Sequence, residues 1–292
     1  MSEPAVEGGP LGAPVNADGA ADRAARRRES AFLIALAIGG AAIEYPLALA
    51  LRSLSRSELV RALPFLVITL VLAALIPLVL RLDARLGLPG APLIAAKLAG
   101  DKFHFSIRSL LKVSFGYALL AALAGASVLA IVLLPLMLMQ HGAVKIPSPP
   151  MLTVPPGRIA IVGGLVAIAA AISEEIQFRM VLYAIFGWVA ARLISRDSRG
   201  HPGRGALWIV TLVQGYLFGV IHLAPLAGAL FHSTWRLMLA GLVMPQTWEG
   251  VVFGRLYLRR GLEASMIAHA SMDLTLFVLA AIGVLSSHLG AK

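Results

Sequence analysis

Three short motifs combine residue types that could activate water, and each lies in a long apolar stretch: Glu174-Glu175-x-x-x-Arg179, Phe218-x-x-x-His222 and His269-x-x-x-Asp273. Ionisable side chains are costly in hydrocarbon, so their presence in apolar segments predicts a functional site. Together the motifs supply a carboxylate base, two imidazoles and an orienting carboxylate. A hydrolytic site that activates water requires these groups.

The first motif contains two carboxylates with different surroundings. Glu175 and Arg179 are four residues apart, so on a helix they share a face and can form an ion pair. Glu174 is rotated by about 100° from Glu175 and has no cation on its own helix. A carboxylate without a cation, held away from water, suits general-base chemistry near neutral pH. We therefore predict Glu174 as the base; the alternative is that all three charges pair between helices.

The other two motifs place one histidine each on a helix. Gly215 and Gly219 lie on nearly the same stripe as His222, which predicts close approach of a neighbouring helix. His269 and Asp273 share a face, so the carboxylate can fix the imidazole tautomer. Each motif alone is also typical of a buried polar contact. Their joint occurrence favours one site assembled from three helices.

Composition predicts an all-α, polytopic transmembrane helix bundle. Of 292 residues, 59% are hydrophobic and only 14% are charged, whereas soluble domains carry about 25% charged residues. A span needs about 20 apolar residues, and on that basis we expect about 7–8 spans. Seven are predicted near residues 31–51, 62–80, 113–139, 158–183, 206–223, 234–258 and 262–286, with a further short helix near 183–194.

The net charge of +10 does not indicate a nucleic-acid partner, because the arginines flank apolar runs as in cytoplasmic loops. Residues 1–30 are predicted to be a disordered basic tail in the cytoplasm. Residues 31–292 form the predicted transmembrane domain, with an interfacial segment at 81–112 and a proline-rich loop at 140–157.

Several alternative chemistries are excluded by what the sequence lacks. There is no cysteine, which excludes disulfides, thiolate zinc sites and cysteine nucleophiles. No His-Glu-x-x-His helix, no Gly-x-Ser-x-Gly elbow and no phosphate-binding loop occurs. Glu44 and Glu249 are further acidic residues in apolar segments. We interpret both as polar packing or cavity lining.

The three motifs resemble those of the CPBP family, the CAAX-protease and bacteriocin-processing (Abi) intramembrane proteases. That family's pattern is Glu-Glu-x-x-x-Arg, then Phe-x-x-x-His, then His-x-x-x-Asn/Asp, in this order. The glycine-rich stretch 250–273 also resembles the family's approach to the last motif. The resemblance covers roughly residues 155–285, which we take as the catalytic core.

The resemblance implies an endopeptidase of membrane-embedded or lipidated substrates in the bacterial inner membrane. It implies that Glu174 activates water and that His222 and His269 stabilise the oxyanion and leaving group. The last motif position is Asn in the CAAX-processing branch but Asp273 here, and a carboxylate cannot donate a hydrogen bond to an oxyanion. Asp273 could instead polarise His269 or help to hold a cation, which puts processing of prenylated proteins in doubt.

The catalytic type has two alternatives. Two histidines, a carboxylate and water match catalytic zinc chemistry, with Glu174, His222, His269 and Asp273 as the ligands. We favour the metal-free glutamate mechanism, because Arg179 competes with a cation for Glu175. An alternative function is a non-proteolytic immunity or adaptor protein that binds a peptide or lipidated partner. A transporter is less favoured, since no repeat or pair of broken helices occurs.

Overall fold

The computed structural model describes residues 19–52, 66–100, 106–133, 154–223 and 234–290, and these fold into helices. Residues 1–18 of the predicted tail and 140–153 of the predicted loop lie outside the described residues. The helices are α1 Gly19–Arg52, α2 Leu66–Ala74, α3 Ile76–Leu86, α4 Pro92–Ala99, α5 Ile107–Val128, α6 Pro156–Glu175, α7 Tyr183–Leu193, α8 Arg204–Leu223, α9 Thr234–Leu242, α10 Pro245–Arg260 and α11 Leu262–Gly290.

The all-α, multi-pass prediction is confirmed. Five helical stretches are long and apolar enough to cross a membrane: Arg23–Leu47, Ile107–Ile131, Pro156–Leu193, Arg204–Leu223 and Leu262–Ser286. The pair α2 and α3, bent by 56°, makes a sixth if it counts as one span. The described residues thus carry fewer spans than the seven or eight expected.

Two predicted segments differ from the observed helices. The span expected at 234–258 is divided into α9 and α10, because Pro245 begins a new helix whose 16 residues carry Glu249 and three arginines. That helix is too short and too polar to meet the criteria for a span. The helix α1 begins at Gly19, so the part of the predicted tail from residue 19 to residue 30 is helical.

The longest helix runs without a break from Pro156 to Leu193. Its central part, Ile176–Leu182, is a π-helix that joins α6 to α7. The helix α6 packs against α1 and α11, whereas α7 packs against α3 and α8. Wider π turns inside α-helices are often found at functional sites, and this one directly follows Glu174 and Glu175.

Glycines bring α8 and α10 into close contact, as predicted from the stripe that contains His222. A Cβ atom at Gly215 would lie 2.7 Å from the backbone oxygen of Thr247. One at Gly219 would overlap the Thr247 side chain, and one at Gly250 would lie 2.9 Å from the Gly215 Cα. Small residues allow such backbone contact between membrane helices. The helix α10 therefore lies directly beside the histidine-bearing end of α8.

Candidate active site

Four helical segments bring the predicted site residues together. Glu174 and Glu175 are the last residues of α6, and Arg179 lies in the π segment that follows. His222 is in the last turn of α8. His269 and Asp273 lie one turn apart on α11, which packs along α6.

Glu175 connects the first motif to the third. Its Oε2 lies 3.2 Å from Arg179 Nε, and both side chains are 0% exposed. Its Oε1 lies 2.9 Å from His269 Nδ1 and accepts the Nδ1 proton. The predicted ion pair between Glu175 and Arg179 is therefore present. The contact with His269 was not predicted.

Aromatic rings surround the buried guanidinium of Arg179. Its Cζ lies 4.6 Å from the ring centroid of Phe218 and 5.8 Å from those of Phe178 and Phe253. Cation–π attraction is strongest where the cation is desolvated, as it is here. Phe253 also stacks on His269, with ring centroids 5.1 Å apart. These rings fix the positions of both the cation and the imidazole.

The other nitrogen of His269 faces two carboxylates. Its Nε2 lies 3.4 Å from Asp273 Oδ2 and 3.9 Å from Glu174 Oε2. Asp273 was predicted to orient His269. The carboxylate that accepts the hydrogen bond from His269 Nδ1 is instead that of Glu175. Asp273 instead lies with Glu174 on the Nε2 side, because one helical turn places it beside that edge of the ring.

A cavity of about 360 Å³ opens onto these groups. Glu174 is 18% exposed and Asp273 is 24% exposed, and Glu174 Oε2 has no hydrogen-bond partner among the described residues. The polar lining is Glu174, His222, Gln246, Glu249, His269 and Asp273, and the apolar lining is Phe218, Leu276, Phe277 and Ala280.

His222 joins the site through this cavity. Its Nδ1 lies 2.7 Å from the backbone oxygen of Phe218, and because a carbonyl oxygen only accepts, Nδ1 donates its proton there. Its ring also contacts that of Phe218 edge to face at 4.6 Å. The structure gives His222 a place on the same cavity wall rather than a direct contact with Glu174 or His269.

Several residues near the site were not predicted as part of it. Glu249 and Gln246 on α10 line the cavity, which agrees with the cavity-lining interpretation for Glu249. Glu44 on α1 accepts a hydrogen bond of 2.6 Å from Ser173, next to Glu174. Phe253 gave no signal in the sequence, since an aromatic residue in an apolar helix is ordinary core.

The geometry of these side chains also indicates whether they could hold a metal ion. The donor types suit zinc, but within the described ranges no three His, Asp or Glu side chains are grouped so that they could hold one. Glu175 is occupied by Arg179 and His269. Within the described residues, the arrangement therefore provides no closed set of ligands for a metal ion.

Comparison with known proteins identifies a related family. Residues 156–275 match the family model described as Rce1-like, type II CAAX prenyl endopeptidase. No curated protein and no solved structure matches the chain. The matched range contains all three motifs and lies in the predicted core. The match to this family supports intramembrane endopeptidase activity in general, with membrane-associated peptides as substrates. Residues 156–275 thus match the Rce1-like domain of the CAAX-protease (CPBP) family.

Proposed function

We propose that the protein is a metal-free intramembrane endopeptidase that hydrolyses membrane-embedded or lipidated peptides. The observation that carries the proposal is the convergence of Glu174 and Asp273 on His269 Nε2 at one cavity. A purely structural cluster would satisfy its carboxylates, whereas Glu174 lines this cavity and its buried Oε2 accepts no hydrogen bond from the described residues.

In the proposed reaction Glu174 removes a proton from water as the water oxygen attacks the peptide carbonyl carbon. The carbonyl oxygen becomes an oxyanion, which His222 and His269 stabilise electrostatically. The C–N bond then breaks, and the proton taken by Glu174 passes to the leaving nitrogen. The immediate products are a carboxylic acid and a neutral amine, which exchange a proton to give a carboxylate and an ammonium, so atoms and charge balance.

Glu175 and Arg179 have a positioning role in this proposal. The Glu175 carboxylate holds the Nδ1 side of His269, which directs Nε2 towards Glu174 and the substrate. Arg179 neutralises that carboxylate within its cage of phenylalanine rings. A partner that fixes ring orientation is a common requirement for catalytic histidines.

Asp273 affects which substrates fit. An anionic side chain beside His269 Nε2 cannot donate a hydrogen bond to an oxyanion, and it repels a free carboxylate at the same place. We therefore propose cleavage within a membrane-associated peptide rather than release of a short carboxyl-terminal fragment from a prenylated protein.

The test of proteolysis compares new protein N-termini in membranes from cells that express wild type or Glu174→Gln at matched levels. We expect N-termini that appear only with wild type, because only wild type has the base. They would give the substrate and its cleavage position. Identical N-terminal profiles, with both proteins folded, would contradict proteolysis and favour the binding-protein alternative.

We expect purified protein to contain far less than one zinc per chain and to keep its activity in a strong chelator. The reason is that no three His, Asp or Glu side chains of the described residues are grouped so that they could hold an ion. Elemental analysis and the cleavage rate, with and without chelator, provide the measurement. About one zinc per chain, lost together with activity, would contradict the metal-free mechanism.

We also propose a location and a topology. The family and the apolar helices support a multi-pass membrane protein, and we place it in the bacterial inner membrane. Arg23, Arg26, Arg27 and Arg28 precede the first apolar stretch, which supports a cytoplasmic N-terminus. The favoured alternative function, a membrane immunity or adaptor protein, would use the same cavity to bind a peptide without cleaving it.

A further inference from the structure

The wall of the cavity contributed by α10 carries a carboxylate that the proposed reaction does not use. Glu249 is only 8% exposed and lines the cavity together with Glu174 and Asp273. Within the described parts of the chain it forms neither a hydrogen bond nor an ion pair. An unpaired buried carboxylate costs free energy, so a ligand group that pairs with it would be bound favourably.

The packing around Glu249 leaves room for its carboxylate at this position. Gly125 of α5 lies against it, and a Cβ atom there would approach Glu249 Oε1 to 2.6 Å. The next turn of α10 places Phe253 between the π segment and His269. The helix α10 is therefore fixed on both sides, and Glu249 extends from a rigid element rather than from a loop.

The charges at the cavity are unbalanced. Three carboxylates line it, those of Glu174, Glu249 and Asp273, against two imidazoles. Arg179, on the neighbouring π segment, is fully buried and paired with Glu175. A positively charged substrate group would therefore find an anionic site in which no lysine or arginine is among the described lining residues. Opposite charges attract most strongly where water is excluded.

The other residues that line the cavity indicate which kind of positively charged substrate group would fit. Gln246 Oε1 is buried without a hydrogen-bond partner among the described residues and can accept one. Leu276, Phe277 and Ala280 form an apolar surface on α11. A lysine or arginine side chain combines an apolar stem with a cationic donor, and such side chains bury the stem while the charged end reaches polar groups.

We infer that Glu249 and Asp273 form a subsite that selects a basic side chain of the substrate peptide, next to the bond cleaved. The position of the subsite next to the cleaved bond rests on the proposed function, whereas binding of a basic side chain does not depend on it. It makes Glu249 a specificity-determining residue contributed by α10. A metal ion is the other cation to consider, and the described residues hold no suitable ligand group.

The binding test uses N-myristoylated, fluorescein-labelled nonapeptides of neutral sequence, in which lysine, norleucine or glutamate is placed at each position in turn. They are titrated into the Glu174→Gln protein in uncharged detergent, so that cleavage and lipid charge do not contribute. At one position we expect lysine to bind at least about tenfold more tightly than norleucine, and glutamate most weakly. Adding Glu249→Gln should reduce that ratio to within about twofold.

A matched control removes one negative charge elsewhere. Asp197 lies in the exposed α7–α8 loop, where its carboxylate accepts backbone hydrogen bonds from Arg199 and His201. Asp197→Asn in the same background should keep the full preference for lysine. Equal loss in both variants would show a general charge effect and overturn the inference. Glu249→Met, checked by thermal unfolding alongside Glu249→Gln, covers the case in which one variant does not fold.

Cleavage of the same peptides separates this inference from the proposed function. If wild type cleaves the lysine peptide with a higher kcat/KM than the norleucine peptide, and Glu249→Gln loses this preference, both the subsite and the endopeptidase are supported. Binding that depends on Glu249 without any cleavage supports the subsite and contradicts the endopeptidase. Equal binding of the lysine and norleucine peptides, or no binding of any of them, overturns the subsite whether or not cleavage occurs.

Discussion

Glu174→Gln is expected to lower kcat/KM for the substrate found by N-terminal sequencing by about 10²–10⁴-fold, the usual contribution of a general base. The amide cannot take a proton from water, although it occupies nearly the same volume. The loss should appear in kcat, because the side chain acts on the reacting water rather than on the peptide. Purified protein in detergent or liposomes gives the measurement.

Folding of the Glu174→Gln variant should be unaffected or slightly improved. The Oε2 atom of Glu174 has no hydrogen-bond partner in the described residues, so the neutral amide removes a charge whose burial is unfavourable. Thermal unfolding of wild type and variant provides the control. Full activity in a folded Glu174→Gln protein would contradict the assignment of the base.

Arg179→Ala is expected to cost about 3–5 kcal/mol of stability, the usual effect of removing one partner of a buried ion pair. The variant leaves the Glu175 carboxylate, which is 0% exposed, without its cation. It also leaves a space between the rings of Phe178, Phe218 and Phe253. The free energy of unfolding in mixed micelles and the yield of monodisperse protein are the measurements.

Two comparisons distinguish the buried pair from arginine loss in general. Arg192 lies exposed over Trp188 with its Cζ 3.7 Å from the ring centroid, so Arg192→Ala should cost less than about 1 kcal/mol. The double variant Glu175→Gln with Arg179→Met should be more stable than Arg179→Ala, because no buried charge is left unpaired. An unchanged unfolding profile for Arg179→Ala would contradict the importance of the pair.

Spacing along one helix could be used to predict local contacts. The pair Glu175 and Arg179, and the pair His269 and Asp273, are each one turn apart, and both are close in the structure. The stripe of Gly215 and Gly219 indicated a tightly packed neighbour, and α10 is that neighbour. These predictions succeeded because helix periodicity depends on sequence distance alone.

Contacts between helices could not be obtained in the same way. The hydrogen bond between Glu175 and His269 joins residues 94 positions apart, and nothing in the spacing of either motif selects Glu175 over Asp273 as the partner of Nδ1. Glu44 and Ser173 are likewise joined only by the packing of α1 on α6. Apolar content also could not show that Pro245 divides the segment 234–258 into two helices.

The π segment Ile176–Leu182 has a consequence for the two halves of the long helix. Each π turn holds an extra residue relative to an α turn, which rotates everything after it by about 100°. The two halves of this continuous helix can therefore turn differently oriented faces to their neighbours. The α6 half packs against α1 and α11, and the α7 half packs against α3 and α8. Loss of a single residue between the halves would therefore turn the face of α7 away from its neighbours.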